Sequence, residues 1–378
     1  MGGWRGWRTA SSKTRVSMNM ASTIPELFAH QAKAFGDRTL FLVKRAGKFQ
    51  PVSWRQADDQ VEAFAAWLLE QGVKPCDRIL LLCENRPEWG IADLAIQSVG
   101  AWTVPVYPSL TVPDLAGIAQ DCQPRIGLAS TSAQLEKLLA VRSCAASLKT
   151  LILLDGGEAG PGGVLWPAVR EEGRRSIGRT TASLKACRDR LQPEATCTLI
   201  YTSGTTGEPK GVMLSHRNFL SNVEACRPVI PVTASDIHLS FLPLCHVFER
   251  MAGWYLMLHA GATVAYAENM DTIPEDMREV RPTIMLGVPR VFEKLRDRIQ
   301  EAIRTSPGGK RRVIEWALRV GHTYAASQER LAPIPLWLRL RDAAAHRMVF
   351  HKLQARLGGR LRFFVSGGAP LSPAVARF

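Results

Sequence analysis

Residues 199–211 read Leu199-Ile200-Tyr201-Thr202-Ser203-Gly204-Thr205-Thr206-Gly207-Glu208-Pro209-Lys210-Gly211. A short apolar, β-prone run delivers the chain into a bend holding three glycines, four hydroxyl side chains and one lysine. Glycines let a backbone turn with positive φ and bring its N–H groups close to an anion. Hydroxyls add donors, and lysine adds a mobile point charge suited to phosphate. The segment reads as a polyphosphate cradle. Its spacing, Gly-x-x-Gly-x-x-Lys-Gly, differs from the Gly-x-x-x-x-Gly-Lys-Ser/Thr of P-loop NTPases, so that mechanism does not transfer. A flexible surface linker would not call for Pro209-Lys210-Gly211 directly after a strand.

Working outward, the first third carries three helix starts. Thr23-Ile-Pro-Glu26, Ser53-Trp-Arg-Gln56 and Thr111-Val-Pro-Asp114 each set a hydroxyl three residues before a carboxylate or amide. Between them lie apolar runs at 78–83, 103–106, 126–129 and 150–154, each predicting a strand buried on both faces. Residues 155–195, rich in Gly, Pro and charge, read as a surface connection. Beyond the cradle the alternation resumes, with helices predicted over 218–226 and 248–258 and strands over 237–242, 263–266 and 283–286. The pattern is that of an α/β protein with two doubly wound subdomains and a nucleotide site at their junction. Residues 291–358 form a basic, amphipathic helical insertion.

Composition is that of an ordinary globular chain, with 46% hydrophobic and 22% charged residues. The longest apolar stretch, 254–267, is interrupted by His259 and Gly261, so no transmembrane helix is expected. The eight cysteines are spread singly, with no metal-binding spacing, and read as reduced thiols of a cytoplasmic protein. The net charge of +14 sits in two places: residues 1–20 carry +4 and residues 290–362 carry +11. That concentration, without a zinc finger or RNP-like aromatic motif, argues against nucleic acid as a partner. Residues 1–22 form a basic N-terminal extension without the apolar core of a secretory signal. They faintly resemble a mitochondrial transit peptide, and Met18 and Met20 are alternative starts. The insertion fits either a solvated basic face over packed helices or a peripheral contact with an anionic membrane.

Tyr201 to Gly211, continued by Val212-Met213-Leu214-Ser215-His216, resembles the signature of the AMP-forming acyl-adenylating superfamily. Leu242-Pro243-Leu244-Cys245-His246-Val247-Phe248-Glu249-Arg250 resembles its second core motif in the long-chain fatty-acid:CoA ligase form. Phe364-Val365-Ser366-Gly367-Gly368-Ala369-Pro370-Leu371 resembles the adenine-side motif. The resemblance implies that a fatty acid is activated by ATP and then passed to CoA, with Mg²⁺ assisting. Thr202, Ser203, Gly204, Thr205, Thr206, Gly207 and Lys210 would hold the phosphates. Thr202 would also touch the metal. Gly367, Gly368, Ala369 and Pro370 would lie along adenine. Lys210 and His246 are the candidate catalytic residues, and His246, Val247, Arg250 and Gly287 the candidate substrate contacts. Two plainer readings stand beside these, a packed core role for His246 and a local pair between Glu249 and Arg250.

The chemistry explains the residue types. A carboxylate is a poor acyl donor because its leaving group would be oxide, whereas a mixed anhydride with AMP parts easily. Forming it brings two anions together and builds charge on departing pyrophosphate, which fixed donors and cations stabilise. The resemblance also leads one to expect, beyond Pro370, a Tyr-Gly-x-Thr-Glu segment, a ribose-binding aspartate, a hinge and a mobile C-terminal domain with its adenylation lysine. None follows Ser372-Pro373, which reads as a helix start. The expectation is therefore an incomplete copy of the ligase that binds nucleotide weakly and does not complete the reaction alone. Alternatives are a nucleotide-binding partner of a chain carrying the missing half, or a fatty acyl-AMP ligase.

Overall fold

The computed structural model describes residues 21–203 and 209–378. Residues 1–20 of the expected extension, and Gly204, Thr205, Thr206 and Gly207 of the expected cradle, lie outside the described residues. Among the described residues, thirteen strands occur in chain order. They are β1 (Thr39–Arg45), β2 (Lys48–Ser53), β3 (Arg78–Leu82), β4 (Trp102–Val106), β5 (Ile126–Ala129), β6 (Thr150–Leu153), β7 (Gly163–Leu165), β8 (Thr196–Ser203), β9 (Pro209–Ser215), β10 (Ile237–Ser240), β11 (Thr263–Tyr266), β12 (Ile284–Gly287) and β13 (Phe363–Ser366).

They build two sheets, one ordered β7-β6-β5-β3-β4-β8-β9 and the other β13-β12-β10-β11-β1-β2. Both are parallel except for one antiparallel edge pair each, β8–β9 and β1–β2. The α/β class is as expected, but the sheets do not divide the chain into consecutive halves. β1 and β2, from the N-terminal end, complete the sheet otherwise built from the C-terminal part. The apolar runs fill the sheet interiors, where both faces are covered. The three helix starts form as expected. Thr23, Ser53 and Thr111 each accept a hydrogen bond from the backbone N–H three residues on, and Ser53 with Gln56 completes a reciprocal capping box.

The helix Pro87–Ser98 is buried along its whole length. Gly90 lets it approach the indole of Trp254, which a Cβ there would meet at 3.1 Å. Trp254 stacks on Phe41 of β1, their ring centroids 5.5 Å apart. One helix thus joins the two sheets through aromatic packing.

Two local expectations are corrected. Residues 155–195 are not an irregular connection: they contain β7 and a 25-residue helix, Trp166–Arg190, packed on helix Trp54–Glu70. Its buried face is Trp166, Val169, Gly173, Ser176, Thr180 and Leu184. Small and hydroxyl residues let the backbones come close, and they leave almost no hydrophobic periodicity to read. The segment 248–258 begins as a π-helix, Glu249–Tyr255, before becoming α-helical over Leu256–Ala260. Gly253 makes this possible, since a Cβ there would stand 2.3 Å from the Glu249 carboxylate.

The insertion between adjacent strands β12 and β13 is helical as expected: Pro289–Arg304, Gly308–Glu329, Leu336–Ala345, and a π-helical turn continuing to Arg356. Its small core is Ala317, Val320, Leu338 and Ala345. A four-residue helix, Pro373–Ala376, follows Ser372.

Candidate active site

The β8–β9 pair sets the register of the cradle's two flanks. Thr202 stands directly opposite Lys210, and Tyr201 opposite Gly211. Both Thr202 and Lys210 are exposed. The Tyr201 ring lies over Gly211, where a Cβ would meet it at 3.1 Å, so this glycine is required by cross-strand packing. The Tyr201 hydroxyl donates to Asp121, and burial together with that carboxylate pushes the phenol well above its ordinary pKa. The strand leading into the bend is thereby anchored to the helix Val112–Cys122.

A second group forms where β10, β12 and β13 end. The Gly367 amide donates to the Gly287 carbonyl at 3.1 Å, joining two candidate residues directly. Gly368 has φ +79°, and Phe248 lies so close to Gly367 that a Cβ would meet its ring at 2.2 Å. His246 Nδ1 accepts from the Phe248 amide at 3.1 Å, which leaves Nε2 as its other nitrogen. The half-buried His246 thus shares one neighbourhood with Phe248, Gly367 and Gly287. Val247 is 43% exposed beside them. Cys245 is buried, and burial pushes its thiol up to about 12, so it stays protonated near neutral pH.

Glu249 and Arg250 do not form the local pair considered above, because they point into separate buried networks. The Glu249 carboxylate lies 2.9 Å from His238 Nε2 and accepts from Ser240 Oγ at 2.7 Å. Arg250, expected at the substrate, has no exposed side-chain surface. Its Nη2 donates to Asp93 Oδ1 at 2.5 Å, Nη1 to Thr198 Oγ1 at 2.6 Å, and Nε to Tyr255 Oη at 3.0 Å. The Trp89, Phe219 and Tyr255 rings surround it, 5.3, 5.5 and 5.7 Å away. Burial alone would push the guanidinium pKa down, but Asp93 and Tyr255 outweigh it and hold it above the ordinary value.

Three residues that sequence reasoning passed over organise the site: Asn85, Asp93 and Thr198. Asn85 follows β3 and binds the backbone of the loop carrying His246. Asp93 had a legible signal, an acid within the uninterrupted apolar helix 91–96, where a buried charge demands a partner. Asn85 and Thr198 had none.

The profile of the AMP-binding enzyme family matches residues 28–378, and the chain belongs to that family. Among curated relatives, the long-chain-fatty-acid–CoA ligase FadD15 of Mycobacterium tuberculosis is 31% identical over 335 residues, 88% of this chain and 54% of the relative. The peroxisomal long chain acyl-CoA synthetase 6 of Arabidopsis thaliana is 28% identical over 402 residues, 100% of this chain and 54% of the relative. The chain spans about half the length of the curated relatives it matches. Among solved structures, the A-PCP didomain of carboxylic acid reductase from Segniliparus rugosus, in complex with AMP, aligns at TM-score 0.65 and 21% identity over 95% of this chain and 50% of that one. The N-terminal domain of FACL13 from Mycobacterium tuberculosis aligns at TM-score 0.65 and 18% identity over 93% of this chain and 71% of that one. These likenesses establish the fold, the two-sheet N-terminal domain of adenylating enzymes.

Proposed function

We propose that this chain forms the nucleotide- and acyl-binding part of a long-chain fatty-acid:CoA ligase, which joins a fatty carboxylate to AMP and then to CoA. The observation that carries the reading is the register of Lys210 opposite Thr202, in a family named for AMP binding. Lys210, exposed and on a long stem, balances charge on the β- and γ-phosphates while the carboxylate attacks the α-phosphorus. The Thr202 hydroxyl fits Mg²⁺, which keeps most of its waters and takes one or two protein oxygens beside phosphate. That ion would supply further charge neutralisation. Gly367 and Gly368 present backbone to the flat adenine face. His246 stands at the carboxylate and thiol path, with Val247 and buried Gly287 lining the acyl side.

The setting that fits is cytoplasmic and peripheral to a membrane. Leu331, Leu336, Trp337 and Leu340 are exposed on a segment of net charge +11, which supports contact with anionic lipid.

Calorimetric titration of this chain with MgATP tests the central reading. Saturable binding is expected, with Lys210→Ala weakening it about tenfold or more while the unfolding midpoint stays unchanged. Absence of binding, or binding indifferent to Lys210, overturns it.

A further inference from the structure

We propose that Arg250 is a positioning residue that locks the turn carrying His246 onto the strand leading into the phosphate cradle, with Asp93 and Thr198 as its two anchors. This rests on the reading of Lys210 and His246 given above, and goes beyond it in saying what sets their mutual geometry. The residues form a continuous chain of contacts. The Arg250 amide donates to the His246 carbonyl at 3.1 Å, so guanidinium and histidine share one helical turn. The guanidinium reaches Thr198 Oγ1, which in turn donates to the Thr103 carbonyl at 2.6 Å. Thr103 and Thr198 are also the register pair by which β8 joins β4. Thr198 lies on β8 four residues before Thr202, so displacing it displaces the cradle's flank.

Asp93 closes the arrangement from the helix between the sheets. Its Oδ1 accepts from Arg250, from Thr103 Oγ1 at 2.8 Å and from Gln97 Nε2 at 2.8 Å, and its Oδ2 accepts from Tyr255 Oη at 2.7 Å. Arg250, Asp93, Thr103 and Thr198 are all wholly buried. Removal of one partner from such a set is costly, whereas replacing polar groups by a packed apolar core is often neutral for stability. A buried ion pair is therefore weak support for a purely stabilising role. Its particular value here is directional. A planar guanidinium with fixed donors binds the strand, the carboxylate and the tyrosine at once, in one orientation. The three aromatic rings prevent it from swinging.

The test uses the full chain and separates position from stability. Thr198→Val removes the strand anchor while keeping shape and leaving the Arg250–Asp93 pair intact. Thr283→Val serves as the comparison. It removes a buried hydroxyl that donates to Asp236 at 2.7 Å, just before β12, in the sheet that does not contain the cradle hairpin. Arg250→Lys keeps the charge and loses the fork, which covers the case in which Thr198→Val fails to fold. Hydrogen–deuterium exchange of segments 196–203 and 246–250 is measured alongside thermal midpoints and MgATP affinity. The expected result is exchange raised about tenfold in both segments together for Thr198→Val and Arg250→Lys, and in neither for Thr283→Val. MgATP binding weakens about tenfold only in the first two variants. Exchange unchanged in the two segments, or raised equally by Thr283→Val, overturns the positioning role. If the parent chain fails to bind MgATP, the cradle reading falls, and the exchange result still decides whether Arg250 couples the two segments.

Discussion

The Leu244 backbone N–H donates to Asn85 Oδ1 at 2.9 Å, although the two residues follow strands of different sheets. The same amide group donates through Nδ2 to the Leu242 carbonyl at 2.6 Å and to Ser240 Oγ at 3.0 Å. One asparagine therefore holds both ends of a short backbone stretch, as a partner strand would. His246 begins its turn immediately afterwards, its amide bonded to the Pro243 carbonyl at 2.9 Å. The seven-stranded sheet thus fixes a loop that belongs to the six-stranded one.

Asn85→Ala should free that loop. It leaves a part-buried N–H and carbonyl without partners, at a cost of about 2 kcal/mol. Cys245 reports the opening, because it is buried at 3% exposure in the same loop. Mass-resolved alkylation should label Cys245 about tenfold faster in the variant. The exposed Cys76 and Cys144 serve as internal references and should react alike in both proteins. Equal Cys245 rates would show that Asn85 does not hold the loop.

The contact between helices Trp54–Glu70 and Trp166–Arg190 depends on a missing side chain. A Cβ on Gly173 would sit 2.0 Å from the Ala63 carbonyl oxygen, so backbone must give way. Gly173→Ala should destabilise by about 1–3 kcal/mol, read as a lower urea midpoint with unchanged slope. Gly178, on the same helix with nothing within 4 Å of its added Cβ, should respond oppositely. There Ala should stabilise by about 0.5–1 kcal/mol through backbone entropy and helix propensity. If both substitutions moved stability the same way, close packing would not be what distinguishes them.

These examples also show what a sequence exposes and what it hides. Runs such as Arg78–Leu82 and Ile126–Ala129 declare themselves because burial on both faces leaves a continuous apolar string. Caps declare themselves because Thr23, Ser53 and Thr111 act on residues three positions away. Helix Trp166–Arg190 hides because half of its packing face is glycine, serine and threonine, and because a glycine-rich stretch, 156–163, precedes it. In the candidate site, the roles proposed for Lys210 and Thr202 rest on local spacing around a single bend, and the fold adds that the two stand opposite each other on β8 and β9. Arg250 reads locally as a substrate contact, since nothing in its motif shows that its partner, Asp93, is 157 residues away. Long-range polar pairing has no periodicity, so it appears only with the fold.

His216 gives the fold a pH dependence of definite sign. Its ring is buried, and Nδ1 accepts from the Ile24 amide at 3.4 Å. Burial pushes its pKa down to about 4, with smaller effects from Asp93, which raises it, and Arg250, which lowers it further. An unfolded chain takes up this proton near pH 6.5, whereas the folded one resists until about 4, so acid favours unfolding through that window. The contribution is fully present above 6.5 and has fallen by about 2 kcal/mol at pH 5. Asp58, pushed up to about 6 by burial and Glu62, titrates nearby with the opposite sign. The comparison must therefore be with His216→Asn, in which Asp58 cancels. The stability gap between parent and variant should narrow by about 2 kcal/mol from pH 7.5 to 5. A gap constant with pH would show that His216 is not held neutral.

The insertion presents a surface whose composition is unusual for one left in water. Leu331, Leu336 and Leu340 are 94%, 72% and 64% exposed, and Trp337 is 54% exposed with Arg341 over its ring at 5.4 Å. Arg330, Arg339 and Arg347 lie in the same part of the chain. Apolar side chains interleaved with arginine suit an interface where the rings and aliphatic groups enter the acyl boundary and the cations meet lipid phosphate. Each basic residue near an anionic surface adds about 1 kcal/mol, and salt screens that share. The chain should therefore co-sediment with phosphatidylserine vesicles and not with purely zwitterionic ones. Raising salt to about 0.5 M should release it, since the screening length shortens below the spacing of charges from the surface. Leu336→Glu with Leu340→Glu should weaken vesicle binding about tenfold without lowering the thermal midpoint, because these side chains are exposed and form no part of the core. Binding that survives both the salt and the double substitution would mean that another face of the protein carries it, and binding to neither vesicle would mean that the basic face is simply solvated.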